Sequence, residues 1–179
     1  MQVFNPPYSV EPYPFISGQL YPANPGSSSG AAVAANRDYL LPFMVREAVR
    51  IDAVLHSRLT TTVGDIYTGI YDVDGMLLTD CAVDSVNTAG IHAVSCTPVT
   101  LSQGEVYYFC ANSSAASILE YIQLDTLWHF QIGWPKIGTI TGEGVGMYKA
   151  RAAAALLASL DLTGWTVSIS TAYGGFVVE

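Results

Sequence analysis

From Arg50 to Asn112, apolar and polar residues alternate in short runs separated by turn clusters, the period-2 signature of stacked antiparallel strands. Val49, Ile51, Ala53 and Leu55 alternate with Arg50, Asp52, Val54 and His56. This predicts a strand with one core face and one mostly polar face, with Arg50 and Asp52 pointing outward. Further strands are predicted at 66–71, 76–83, 91–101, 105–112, 118–132 and 165–170. Two turns frame the middle of the pattern: Asp72-Val73-Asp74-Gly75, and Ser102-Gln103-Gly104 between Leu101 and Glu105. Short strands at this spacing predict an all-β antiparallel fold, a β-sandwich or jelly roll. The exception is Met147 to Leu160, whose Ala and Leu content favours one short helix, with Leu156 and Leu160 on one face and Gly164 available to end it.

Residues 1–36 follow a different rule. Pro6, Pro7, Pro12, Pro14, Pro22 and Pro25 are interspersed with Tyr8, Tyr13, Phe15 and Tyr21, and Gly26-Ser27-Ser28-Ser29-Gly30 closes the segment. Repeated proline favours extended backbone and opposes helix or central strand. The expected organisation is therefore an N-terminal arm over 1–36 and a sandwich over 37–179. Aromatic side chains gain by burial, so Tyr8, Tyr13, Phe15 and Tyr21 are candidate interface residues. The arm either docks on another subunit or folds back on its own domain.

Composition changes the picture of the surface. In 179 residues, 50% are hydrophobic and only 12% charged, which implies an unusually uncharged surface or one covered by neighbouring subunits, and coverage is the favoured reading. A net charge of −8 and scattered Lys and Arg leave no basic stripe for phosphates, so nucleic-acid binding is not expected. The segment Met1 to Pro7 lacks the basic and apolar regions of a secretory signal, and Ala152 to Leu160 is too short to span a bilayer. The expectation is a protein made in the cytoplasm.

No stretch carries recognisable catalytic chemistry. Gly26 to Gly30 matches a nucleophile-elbow string but lies in a Pro/Ser/Gly segment, where linker composition explains it. Gly142-Glu143-Gly144-Val145-Gly146 has the wrong spacing for a dinucleotide fingerprint and no following Lys-Ser/Thr. Asp72 to Gly75 lacks the later ligands of a calcium loop and reads as a turn. His56, His92 and His129 fall in separate predicted strands without a second ligand at metal spacing. Asn112-Ser113-Ser114 fits a glycosylation acceptor, which matters only in a secreted eukaryotic chain. No catalytic, cofactor or metal residues are assigned. If Ser102-Gln103-Gly104 closes a hairpin, Cys96 and Cys110 face each other, with Pro98 able to bulge that ladder. Buried thiols are the default for all three cysteines, Cys81 included.

Four stretches resemble a pattern in virion proteins of tailed bacteriophages: Arg50 to Val54, Gly69 to Leu77, Thr88 to Ile91, and Leu101 to Tyr108. In β-sandwich proteins of tail fibres, spikes and head decorations, a G-I-Y-D-x-D-G hairpin precedes an L-x-x-G-x-x-Y-Y hairpin. The resemblance covers about residues 42 to 112 and carries no functional residue across. It implies a non-enzymatic virion subunit, synthesised in the host cytoplasm, anchored to other virion proteins through its arm and homo-oligomeric, with a trimer favoured. The alternative is a carbohydrate-binding or receptor-binding module in which Tyr67, Tyr71, Trp128 or Trp134 stack on host glycan.

Overall fold

The computed structural model describes residues 20–22, 27–45, 47–116, 118, 120–123, 146–168, 170–172 and 174–178. These residues form strands and no helix, and every strand pairing is antiparallel. A six-stranded sheet has the order β11 (Thr166–Ser168), β10 (Gly146–Ala150), β3 (Arg37–Met44), β8 (Val106–Ser113), β5 (Ile66–Asp72), β6 (Leu77–Asp80). A four-stranded sheet has the order β1 (Leu20–Pro22), β13 (Gly174–Val178), β4 (Val49–Arg58), β7 (Gly90–Leu101). A three-stranded sheet joins β12 (Ser170–Ala172), β9 (Glu120–Gln123) and β2 (Ser27–Ala32). No helix among the described residues is long and apolar enough to cross a membrane.

The two larger sheets pack as a β-sandwich. Leu41, Phe43, Ile70, Tyr107 and Phe109 of the six-stranded sheet share one buried cluster with Val49, Ile51, Val54, Leu101 and Phe176 of the other. The Phe43 and Phe176 rings lie 5.8 Å apart across this interface. A Cβ at Gly174 would fall 2.3 Å from the Phe109 ring, so the sheets approach too closely there for any side chain.

The Asp72 to Gly75 turn forms as expected and joins β5 to β6. The Asp72 carboxylate accepts the Asp74 and Met76 amides at 3.0 and 2.8 Å. Gly75 takes φ 81°, a left-handed conformation that glycine adopts without strain. The second turn forms differently. Gln103-Gly104 carries the chain from β7 in one sheet to β8 in the other, an arch rather than a hairpin. Cys96 and Cys110 therefore do not pair. Cys110 lies opposite Leu40 and Gly69, while Cys96 lies opposite Cys81. The same short loop suits either connection, and only the packing of the two sheets separates them.

The helix expected over Met147 to Leu160 does not form. Its first residues belong to β10, and the rest crosses the outer face of the six-stranded sheet toward β6 as irregular backbone. Tertiary bonds replace the helical ladder: the Leu77 amide donates to Ala158 O, Leu160 N to Gly75 O, and the Tyr71 hydroxyl to Leu157 O. Arg151 grips the buried carboxylate of Asp38 through Nε and Nη2, and Asn112 donates to the same carboxylate at 2.8 Å. Local propensity is worth tenths of a kcal/mol per residue and yields to these contacts.

The fold also starts earlier than expected. β1 pairs with β13, β2 pairs with β9, and Val33 is buried in the main core, so these parts of the expected arm fold back on the chain's own sheets. Tyr8, Tyr13, Phe15, Trp128, His129 and Trp134 lie outside the described residues, as do 142–145 and most of the strand expected at 118–132.

Candidate functional site

The alternation along β4 changes phase at Asp52. Opposite β13, Val177 pairs with Ala53 and Val178 with Ile51, so Asp52 is an extra residue on β4. Before the bulge Val49 and Ile51 face the core. After it Val54 does, and His56 and Arg58 follow on the same face at the end of the strand. Both are completely enclosed, with side-chain exposure of 0%. The partner strand supplies His92, directly opposite His56 in the β4–β7 ladder, with ring centroids 5.5 Å apart.

The third member comes from the other sheet. After β6 the chain returns to pair with β5: the Ile66 and Asp84 backbones exchange two hydrogen bonds of 3.0 Å. This places the Asp84 carboxylate between the sheets. Its Oδ2 lies 2.7 Å from His56 Nε2 and 2.7 Å from His92 Nδ1, and its Oδ1 accepts the Val86 amide at 2.9 Å. A carboxylate only accepts, so each facing imidazole nitrogen carries a proton. His92 Nε2 is then the acceptor for the Thr88 hydroxyl at 3.2 Å.

Arg58 completes the cluster. Its Nη1 stands 3.9 Å from Asp84 Oδ2. Its Nη2 lies 2.8 Å from both Thr62 O and Gly64 O and 2.9 Å from Asn87 Oδ1, which holds the loops 59–65 and 84–90 side by side. Burial would raise the pKa of Asp84, but hydrogen bonds from His56, the Val86 amide and His92 outweigh it and hold the carboxyl well below the usual range. Burial pushes His56 below the ordinary imidazole range, against the opposing pull of Asp84. His56 therefore rests as a neutral ring beside the Asp84 carboxylate.

Two other chemistries fit parts of this geometry. His56, Asp84 and His92 present ligand atoms within 4.8 Å of one another, a His/His/carboxylate set of the kind that binds zinc. The guanidinium beside Asp84 Oδ2 disfavours a second cation at that oxygen. Asp84, His92 and Thr88 also have the connectivity of a carboxylate–imidazole–hydroxyl relay. However, Oδ2 is shared with His56 and faces Arg58, so it is not dedicated to His92 as the carboxylate of such a relay is. The contacts that are made describe a polar clamp between the sheets, while His56 Nδ1, Arg58 Nε and Arg58 Nη1 are buried without a hydrogen-bond partner among the described residues.

The structure thus brings together His56 and His92, which the sequence placed in separate strands without a partner. The missing signals were the phase slip at Asp52 and the strand order. Of the aromatics considered for glycan, Tyr71 is enclosed in the core with its hydroxyl bonded to Leu157 O, which removes it from any stacking surface, and Tyr67 is half-buried in β5. Comparison of the sequence with protein-family models and with curated proteins gives no match.

Proposed function

We propose that this chain is a non-enzymatic structural subunit of a tailed-bacteriophage particle, of the fibre, spike or head-decoration type. The observation that carries the reading is where the resemblance falls. Its four stretches occupy the first half of β4, the β5–β6 hairpin, the entry to β7 and the arch from β7 to β8, which together frame the sandwich.

Two features of the molecule support it. The Asp84 carboxylate spends its hydrogen bonds with His56 and His92 on joining the sheets, and Arg58 spends its own on aligning two loops, which is an architectural use of these residues. In addition, the two loops aligned by Arg58 and the strand entry beside them carry Val63, Val86 and Ile91, exposed by 76%, 59% and 56%. Large apolar side chains this open, on a surface with so few charges, suit coverage by neighbouring subunits.

Electron microscopy of purified particles labelled with an antibody to this chain tests the proposal. Regular labelling at one position on head or tail is the expected result. Particles of the phage that encodes the chain, carrying neither the label nor the polypeptide, would overturn it.

A further inference from the structure

A second cluster lies at the opposite side of the β4 bulge, where β7 is irregular too. Ile51 pairs with Val99 and Ala53 with Ser95, so Cys96, Thr97 and Pro98 stand opposite Asp52 alone. Proline has no amide to give the ladder, and extra residues bend a strand away from its partner. Here the bend turns β7 toward the end of β6 in the other sheet. The Thr79 hydroxyl donates to Thr97 O at 2.8 Å and the Ala82 amide to Ser95 O at 3.1 Å. Cys81 and Cys96 are left directly opposite one another in an antiparallel bridge.

The Ala82–Ser95 bond defines the type of bridge. It connects the residues flanking the two cysteines, so Cys81 and Cys96 form the non-hydrogen-bonded pair, whose Cα atoms lie about 4.5 Å apart. That separation falls inside the range of about 4.4–6.8 Å which a disulfide spans without backbone movement. Both residues are free thiols, half-buried, and they line a shallow open groove with Asp80, Ala82, Ser95 and Thr97. Cys110 is enclosed on β8 and has no route to either.

We propose that Cys81 and Cys96 are a modification site: a dithiol that a small disulfide of the glutathione type oxidises to an internal bond, stapling the six-stranded sheet to the four-stranded one. The two sulfurs take different parts. The Cys81 thiol donates to the Cys96 sulfur, which lowers Cys96 against the opposing effect of burial, and the same bond together with burial pushes Cys81 up. Cys96 is therefore the attacking thiolate and Cys81 the resolving thiol.

In the first step the Cys96 thiolate attacks one sulfur of the oxidised glutathione. A Cys96–glutathione bond forms, the glutathione S–S bond breaks, and the departing thiolate takes up a proton. In the second step Cys81 gives up its proton and attacks the Cys96 sulfur. The Cys81–Cys96 bond forms and a second glutathione leaves as thiol. Two protein thiols lose two electrons in all, and one glutathione disulfide becomes two thiols.

The test is incubation of the full-length protein with oxidised glutathione, followed by alkylation of remaining thiols and non-reducing peptide mapping by mass spectrometry. The expected product joins the Cys81 and Cys96 peptides with Cys110 alkylated after denaturation, and it melts higher by roughly 10 °C until a reductant is added. In Cys81→Ser the reaction should stop at the Cys96–glutathione adduct, and Cys96→Ser should form neither product. Wild-type protein that keeps both thiols, that stalls at the adduct, or that links either cysteine to Cys110 would overturn the proposal. The wild-type mapping decides even if a serine variant fails to fold.

Discussion

The cluster around Asp84 makes stability depend on pH in a defined direction. Folding holds His56 below the pKa of an unfolded histidine, about 6.5. As pH falls, the unfolded chain therefore takes up this proton first. Stability is full above about pH 6.5 and declines below it, at up to ~1.4 kcal/mol per pH unit for this one group. Asp84 adds a later loss: its depressed pKa means its stabilising contribution is present above about pH 4 and fades as pH falls further. Urea unfolding between pH 8 and pH 4 checks the first part, and a flat profile would contradict the neutral-ring assignment. Asp84→Asn should cost about 3 kcal/mol, because it leaves the enclosed Arg58 without its counter-charge. Gly75→Val should cost about 2 kcal/mol or more in the same assay: it forces a β-branched residue to φ 81° and sets its Cβ 2.7 Å from Leu160 O. This turn was legible in the sequence because Asp and Gly carry their backbone preference with them. The His/Asp cluster was not, because its members become neighbours only through strand order.

Strands and turns were legible where local pattern and packing agree, and they failed where packing overrides pattern. The two-residue period located β4, β5, β7 and β8, yet it could not show that one extra residue at Asp52 reverses which side chains face inward beyond it. Composition favoured helix for 147–160, whereas β10 takes its first residues and the Asp38–Arg151–Asn112 network and the bonds to Gly75 and Leu77 hold 151–160 as a crossing segment. Arg151→Ala should therefore destabilise the fold by about 3 kcal/mol, since among the described residues the buried Asp38 carboxylate then keeps only its Asn112 donor. Hydrogen exchange at Leu160 and Leu77, whose amides bond across this segment, should rise with it; a variant that loses stability without raising that exchange would show that the crossing is held by other contacts.

At the scale of the whole molecule, the sandwich followed from regularly spaced strands, while the limit of the arm did not. Proline and serine content drew the boundary at 36, but backbone pairing is indifferent to such composition at sheet edges, and β1 and β2 enter the fold before it. If the subunit is anchored through the segment preceding β1, two truncations separate folding from assembly. A chain beginning at Leu20 keeps both strands and the buried Val33, so its circular dichroism and melting point should stay close to those of the full chain. A chain beginning at Arg37 loses β1, β2 and Val33, uncovers the β13 edge and the three-stranded sheet, and should melt several degrees lower. Only the first truncation is informative about anchoring, because it removes Tyr8, Tyr13 and Phe15 and keeps every described strand. Supplied to cells infected with phage lacking the native chain, it should accumulate as folded protein, excluded from particles. Light scattering after size exclusion gives the complementary reading, with a trimer expected for the full chain. Incorporation of the Leu20 chain at the full-length level would rule out the arm as the anchor and shift the contact to the exposed residues Val63, Val86 and Ile91.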